Sequence, residues 1–313
     1  MPPPRDPVAD LRRIAFLLES ASEPGYRVRA FRSAAATLAA LSHGDLEIRA
    51  ASGTLQELSG IGEVTERTIL ESLRGDCHVH SEWSDGGAPV REMAEVARDL
   101  GHDYIVLTDH SPRLTVANGL SPDRLREQLD LVAAINAELA PFRILTGIEC
   151  DILSDGGLDQ EPELLSRLDV VVGSVHSELR MEPRAMTRRL VAALANPHLD
   201  VLGHMTGRMK TRKRNRPEST FDAEIVFAAA LRFDKAIEIN SRPERRDPPK
   251  RLLRLAVEAG CRFTIDSDAH APGQLAWLRH GAERAFRCGV TPPMLLNGLP
   301  ADELLAWTAA HEA

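Results

Sequence analysis

The pattern of apolar positions along the chain changes near residue 75. After that point, short apolar runs predict buried strands at Tyr104–Thr108, Arg143–Gly147, Val170–Val175, Val201–Gly203, Ala236–Ile239 and Phe263–Ile265. Between them, apolar residues recur at helical spacing and predict helices at Val90–Leu100, Pro122–Leu139, Ala185–Ala195, Asp222–Leu231 and Pro249–Ala259. Strands and helices that alternate in this way predict a parallel sheet or a β/α barrel over residues 76–313.

The pattern before that point is helical throughout. Residues 1–8 are expected to form a disordered leader, and residues 9–75 a small helical domain whose apolar positions repeat at helical spacing. Near its end, the glycines of Leu58-Ser59-Gly60-Ile61-Gly62 are typical of a helix-hairpin-helix. Gly60 and Gly62 allow a tight turn, and the backbone N–H groups beside it can bind a DNA phosphate.

An ordinary helical hairpin is the alternative interpretation of this segment. Glu63 and Glu66 stand where a phosphate-binding turn would favour lysine, and no lysine precedes Lys210. Any DNA contact of residues 9–75 is therefore expected to be local and weak.

Composition excludes some classes of protein and leaves others open. The 313-residue chain has a formal net charge of −8, which argues against a general nucleic-acid coat protein. It has no apolar run long enough for a transmembrane helix and no signal-peptide pattern at its start. The four cysteines form no CxxC motif, so we expect reduced thiols in a cytoplasmic protein that does not bind membranes.

Metal-binding side chains recur where the predicted strands end. His78 and His80 are two residues apart, so they project from the same face of a strand. The other candidates at strand ends or in the first following loop are Asp85, His110, Glu149, His176, His204, Asp268 and His270. Imidazole and carboxylate ligands together suit Zn²⁺, Mn²⁺ or Fe²⁺, and this many suit two or three ions.

Five short motifs stand out in residues 76–313: Trp83-Ser84-Asp85-Gly86, Gly203-His204-Met205-Thr206-Gly207-Arg208, Ile237-Glu238-Ile239-Asn240, Asp268-Ala269-His270 and Leu275-Ala276-Trp277-Leu278. They resemble the PHP (polymerase and histidinol phosphatase) domain, above all the version found in bacterial family X DNA polymerases. Residues 9–75, which include Tyr26-Arg27-Val28-Arg29-Ala30-Phe31-Arg32, resemble the N-terminal helical domain of the same polymerases.

The resemblance implies a distorted seven-stranded β/α barrel, preceded by a small all-α helix-hairpin-helix domain. It also implies three divalent ions and hydrolysis of a phosphate ester by a metal-activated water. The implied ligands are His78, His80, Glu149 and Asp268 for the first ion, Glu149, His176 and His204 for the second, and Asp85, His110 and His270 for the third. Glu149, Asp268 and His270 are assigned as catalytic, with Glu149 bridging two ions.

One departure from those polymerases is large. Their fingers, palm and thumb lie between the two regions that this chain joins directly at Gly75, so we expect no polymerase activity. A lyase reaction through a lysine Schiff base is also implausible in residues 1–75, which contain no lysine.

A basic stretch after His204 bears on the substrate. Residues 208–216 contain six arginines and lysines and no acid, and at the mouth of the site they could capture phosphate. Arg208, Lys210 and Arg242 are the predicted phosphate-binding residues. The leading hypothesis is a DNA 3′–5′ exonuclease or 3′-end-processing enzyme that acts on DNA ends. The rival is a small-molecule phosphomonoesterase of the histidinol-phosphatase kind, and a non-enzymatic scaffold is the least favoured reading.

Overall fold

The computed structural model describes residues 7–20, 25–41, 75–211 and 215–311, together with the single residues Leu46, Arg49, Leu55 and Leu58. The chain divides into two compact units, residues 1–74 and 75–313. None of the described helices is both long and apolar enough to cross a membrane.

The described part of the first unit is a pair of helices, α1 (Pro7–Ser20) and α2 (Gly25–Ala39). They pack through a small apolar cluster that includes Leu11, Ala15 and Phe31. α1 begins at Pro7, so Pro7 and Val8, which were assigned to the leader, are helical. Proline is tolerated at the start of a helix because the N–H groups of the first turn have no acceptor within the helix. Gly60 and Gly62 lie outside the described residues.

The second unit is a seven-stranded parallel sheet that curls into a nearly closed barrel, as the resemblance implied. Its strands, given in the order in which they lie side by side, are β1 (Asp76–Val79), β2 (Tyr104–Leu107), β3 (Arg143–Asp151), β4 (Val170–Ser174), β5 (Val201–Leu202), β8 (Ala236–Asn240) and β9 (Arg262–Asp266). A short antiparallel hairpin, β6 (Met209–Lys210) and β7 (Asn215–Arg216), follows β5.

Helices connect the strands and cover the outside of the barrel, where two large apolar clusters lie. They are α3 (Val90–Asp99), α4 (Pro122–Leu139), α5 (Pro162–Leu165), α6 (Pro183–Leu194), α7 (Ala223–Arg232), α8 (Lys250–Ala259), α9 (Leu278–Arg287) and α10 (Ala301–Ala309). α10 packs Leu304 and Trp307 against strand residues such as Tyr104 and Val170. Since these strand residues lie at or near the amino ends of β2 and β4, α10 covers that end of the barrel and leaves the carboxyl ends for the site.

Carboxylates complete the closure between β1 and β9. In the backbone contact between these two edges, the His80 N–H donates to the Ala269 carbonyl at 2.9 Å. Beside it, Asp266 Oδ1 accepts the Cys77 N–H at 3.0 Å, and Asp76 Oδ1 accepts the Ser267 N–H at 3.1 Å. Burial raises the pKa of Asp76 to about 7. Side-chain hydrogen bonds thus replace part of the backbone hydrogen-bond ladder between β1 and β9, where the barrel is distorted.

Candidate metal centre

β1 and the loop after it contribute three of the candidate ligands. His78 and His80 are fully buried and project inward from the same face of the strand. The chain then turns tightly, and a Cβ on Gly86 would lie 2.6 Å from the Ser81 carbonyl oxygen. This turn brings Asp85 Oδ1 back to 3.4 Å from His110 Nε2 and 3.3 Å from His270 Nε2.

Glu149, near the end of β3, lies at the centre of the site. Its carboxylate faces histidines from four other strands or their following loops. The distances from its oxygens to the nearest ring nitrogens are 3.4 Å for His78, 3.6 Å for His80, 2.9 Å for His110, 3.3 Å for His176 and 2.7 Å for His204. A carboxylate that touches this many ligand-type groups is positioned to bridge ions.

The loop after β9 completes the arrangement. Asp268 has a left-handed backbone, with φ of 53°, which is uncommon for a residue other than glycine and occurs often at functional sites. Its Oδ1 lies 3.6 Å from His80 Nε2. His270 follows two residues later, and its ring lies 4.2 Å from that of His80, centroid to centroid. The structure therefore brings all nine sequence-predicted metal ligands to one end of the barrel.

The chemistry of this donor set fits divalent metal ions. Within the described residues, several buried ring nitrogens have no partner in hydrogen-bond geometry: His78 Nε2, His80 Nδ1 and Nε2, His176 Nδ1 and Nε2, and His204 Nδ1. Buried polar atoms are rarely left without a partner unless they bind something else. Ligand atoms about 3.3 Å apart also match the edge of a tetrahedral zinc site with bonds near 2.0 Å.

Within the part of the chain that the structure describes, three groups of ligand atoms come close enough to surround an ion, each with all its atoms within 4.8 Å of one another. They are His80, Asp85, His110 and His270; His78, His80 and Glu149; and His110, Glu149 and His176. Several residues occur in two groups, as expected where neighbouring ions share ligands.

Residues 76–242 match the model of the PHP domain, and residues 2–78 match the model of a helix-hairpin-helix domain. The chain belongs to the PHP domain family. Membership and the histidine–carboxylate cluster together support a metal-dependent phosphoesterase, the class that the sequence predicted.

Curated relatives of this PHP protein include a DNA polymerase and proteins named as probable phosphatases. It is 38% identical over 257 residues to the DNA polymerase/3′-5′ exonuclease PolX of Bacillus subtilis, an alignment that covers 82% of this chain and 45% of that one. The chain thus spans less than half the length of this relative. It is 27% identical over 235 residues to a protein of Thermoanaerobacter sp. (strain X514) named as a probable phosphatase, covering 71% of this chain and 89% of that one.

A solved structure shares the barrel. The histidinol phosphate phosphatase of Lactococcus lactis, crystallised with zinc, L-histidinol and phosphate, superposes with a TM-score of 0.50 at 20% sequence identity. The match covers 69% of this chain and 94% of that one. This likeness concerns the fold.

The electrostatics of this PHP site favour ligand-ready carboxylates. Burial alone would raise the pKa of Glu149, but the surrounding histidines, His176 foremost, hold it well below its usual range. For Asp268 burial is likewise outweighed, mainly by the Arg245 guanidinium, and the pKa is held well below normal. Burial and neighbouring histidines lower the pKa of His80 well below its ordinary value, which keeps the ring neutral. Metals bind these ionised carboxylate and neutral imidazole forms. Glu149 raises the pKa of His110 to about 10 in spite of burial, so an ion bound there would displace a ring proton.

A buried carboxylate next to the ligands shapes the loop that carries Asp85. Asp109 precedes His110, and its Oδ1 accepts the Ser81 N–H at 2.8 Å and the Ser84 hydroxyl at 2.5 Å. Its Oδ2 accepts the Ser81 hydroxyl at 2.6 Å and Gln128 Nε2 at 2.7 Å. Asp109 thereby connects the loop after β1 to α4. Each of its oxygens already accepts two hydrogen bonds, so it is not counted among the candidate metal ligands.

The predicted phosphate-binding residues lie in different surroundings. Arg242 Nη1 is 3.4 Å from Asp268 Oδ1 and 3.1 Å from His270 Nδ1, beside the cluster. Arg208 Nη1 instead lies 3.4 Å from Glu218 Oε1, an ion pair that competes with phosphate. Lys210 is exposed on β6, and residues 212–214 lie outside the described residues.

Two residues that were not predicted as site residues also adjoin the ligands. Arg245 is buried, with Nε 2.8 Å from Asp268 Oδ2. Glu238, on the one predicted strand that does not end in a metal-binding side chain, is fully buried against His78. An acid within the apolar run Ala236-Ile237-Glu238-Ile239 was the available signal for Glu238. Arg245 gave no signal beyond its arginine-rich neighbourhood.

Proposed function

We propose that this protein is a metal-dependent phosphoesterase acting on DNA ends, as a 3′–5′ exonuclease or 3′-end-processing enzyme. The observation that carries the hydrolase assignment is the set of nine ligand-type side chains converging on one end of the barrel, with buried ring nitrogens left without partners. No position of the set is filled by a residue that cannot bind metal, which argues against a scaffold.

The proposed ion positions follow the three ligand sets given above. The first ion would be held by His78, His80, Glu149 and Asp268, the second by Glu149, His176 and His204, and the third by Asp85, His110 and His270. Bound divalent ions would neutralise phosphate charge, lower the pKa of a water and stabilise the leaving oxygen. The geometric groups differ from these sets in membership, since His80 also lies beside Asp85 and His110 also lies beside Glu149.

The protein's own groups would prepare the substrate. Arg242, which is half-buried and adjoins Asp268 and His270, is placed to pair with a phosphate oxygen as the ester enters. Arg245 is buried and offsets the negative charge of Asp268, so the more exposed Arg242 remains able to bind a phosphate oxygen. Burial of the histidines keeps bulk water away from the ligands, which strengthens every charge interaction within the site.

Two features favour DNA as the substrate. The helix-hairpin-helix match over residues 2–78 supports contact with a nucleic-acid backbone. Lys210, exposed on β6 a few residues after His204, belongs to the basic stretch 208–216 and supports contact with phosphates away from the one cleaved. The similarity to PolX, whose name includes a 3′-5′ exonuclease, agrees with both.

A small-molecule phosphomonoesterase is the second candidate. Its support is the similarity to the Thermoanaerobacter protein named as a probable phosphatase, which this chain covers over 89% of its length. An enzyme of this kind would need a closed pocket, whereas an enzyme acting on DNA needs an open basic groove.

The deciding experiment compares both substrates with the same protein. End-labelled DNA, single-stranded and duplex, and histidinol phosphate are each incubated with the full chain and Mn²⁺ or Zn²⁺. We expect shortening of DNA from the 3′ end and little phosphate release from histidinol phosphate. Fast release of phosphate from the small ester with intact DNA would favour the second candidate, and no hydrolysis of either would refute the proposal.

The basic hairpin gives an independent test of DNA contact. Replacing Lys210, Arg212, Lys213 and Arg214 with alanine should flatten the salt dependence of DNA binding by roughly one unit of log–log slope per lost phosphate contact. Turnover of a small chromogenic phosphodiester should stay near normal. The matched control is Arg167→Ala, an exposed charge just before β4 at the opposite end of the barrel. An unchanged slope in a protein that binds DNA would show that the hairpin does not contact it.

A further inference from the structure

Glu238 occupies an unusual position for an acid, in the middle of the barrel strand β8. Its side chain is completely buried. Oε1 lies 2.6 Å from Nδ1 of His78 on β1, while Oε2 accepts the backbone N–H of His204 after β5. Asn240 Nδ2 also donates to Oε2, at 3.3 Å. One carboxylate therefore joins three strands and contacts two proposed metal ligands without occupying a ligand position itself.

We infer that Glu238 is a positioning residue that holds His78 in the tautomer with hydrogen on Nδ1 and holds His204 in place through its backbone. This inference rests on the proposed metal site. His78 Nε2 has no hydrogen-bond partner and lies 3.4 Å from Glu149 Oε2, so it is the nitrogen left for an ion. A carboxylate behind a metal-binding histidine fixes its tautomer and orientation and raises its basicity.

The donor count explains why a carboxylate is needed. The His204 N–H and the Asn240 amide donate to Oε2, and in the inferred tautomer the His78 Nδ1–H donates to Oε1. Glutamine at this position has one acceptor oxygen and one donor group. If its NH₂ faces His78, then Nδ1 must accept, and the ring hydrogen moves to Nε2, where it blocks metal binding. If its NH₂ faces His204, a buried backbone N–H loses its partner.

The test is metal binding by Glu238→Gln in the full chain. Wild type and variant are stripped with a chelator and titrated with Zn²⁺ against a competing indicator, and bound zinc is counted by elemental analysis. We expect affinity roughly 10–100-fold weaker for at least one ion in the variant. Equal affinity and equal zinc count in the two proteins would overturn the inference.

Asp200→Asn is the matched control. Asp200 also accepts a histidine Nδ1, from His311 at 2.7 Å, and a backbone N–H, from Val171 at 2.8 Å, but it lies at the other end of the barrel. Normal zinc binding by this variant supports a specific role for Glu238. Equal weakening in both variants would overturn it, because general loosening of the barrel would then be the cause.

A second measurement stands even if Glu238→Gln does not fold. In zinc-loaded wild type labelled with ¹⁵N-histidine, the His78 ring should carry its hydrogen on Nδ1, with assignment by loss of the signal in His78→Gln. Hydrogen on Nε2 would overturn the inference. A wild type that binds no zinc would instead refute the metal site itself, so the two failures are distinguishable.

Discussion

Each end of the barrel places histidine beside carboxylate, yet the two ends satisfy the ring nitrogens differently. At the amino end, His311 Nδ1 bonds to Asp200 at 2.7 Å and its Nε2 bonds to the Asp234 carbonyl at 2.9 Å. At the carboxyl end, both ring nitrogens of His80 and both of His176 lack a hydrogen-bond partner among the described residues. The protein thus completes the bonding of His311 and leaves the ring nitrogens of His80 and His176 for a ligand.

The difference shows what separates a structural histidine from a candidate ligand. Burial and a nearby acid are common to both ends. Convergence distinguishes them: Glu149 faces five histidines, whereas Asp200 pairs with one. Five imidazoles around one carboxylate cannot all be satisfied by it, and divalent ions would resolve the shortage.

Removal of metal should have the largest effect on hydrolysis. Freshly purified protein should carry two or three transition-metal ions per chain, and chelation should abolish hydrolysis until Mn²⁺ or Zn²⁺ is restored. The helices should persist after stripping, since the amino end is held by its own hydrogen bonds and apolar contacts. Elemental analysis, activity and circular dichroism measure these outcomes. Full activity in an ion-free preparation would show that the histidines at the carboxyl end do not serve as ligands of a catalytic metal.

Glu149→Gln should have the next largest effect. It keeps the size of the side chain but removes the charge proposed to be shared by two ions. We expect a loss of at least ~10²-fold in rate, because even changes behind the ligands cost 10–100-fold. Turnover of a small phosphodiester measures it, with Asp200→Asn as the control that should remain near normal. A near-normal rate for Glu149→Gln would mean that Glu149 does not bridge.

Trp307→Ala should leave the hydrolysis rate per folded molecule unchanged while it weakens the amino end. Trp307 packs in the apolar cluster that α10 forms with the strands, and its Nε1 donates to Asp234 Oδ2 at 3.0 Å. Truncation should lower the free energy of unfolding by about 3–5 kcal/mol. Denaturant unfolding measures this, with exposed Val116→Ala expected to change it by less than about 0.5 kcal/mol. A changed metal count in folded Trp307→Ala would show that the two ends are coupled.

Much of the barrel was predictable because its strands are buried on both faces and its helices on one. The helix Pro122–Leu139 has the predicted bounds, and β2 and β4 each end one residue earlier than expected. β3 continues four residues beyond its predicted end, to Asp151, because its residues from Gly147 onward form backbone hydrogen bonds with β4. The β6–β7 hairpin was not predicted, since two-residue strands show no period.

The sequence by itself determined which side chains are available for metal chemistry and where they stand. Histidines and acids follow apolar runs, and the carboxyl ends of parallel strands meet at one end of a barrel, so their convergence was foreseeable. Their individual contacts were decided only by the tertiary structure. Glu238 meets His78 across 160 positions of sequence, and Arg208 pairs with Glu218 across a hairpin. Such contacts depend on strand register, rotamers and competition among partners, which local patterns of polarity do not encode.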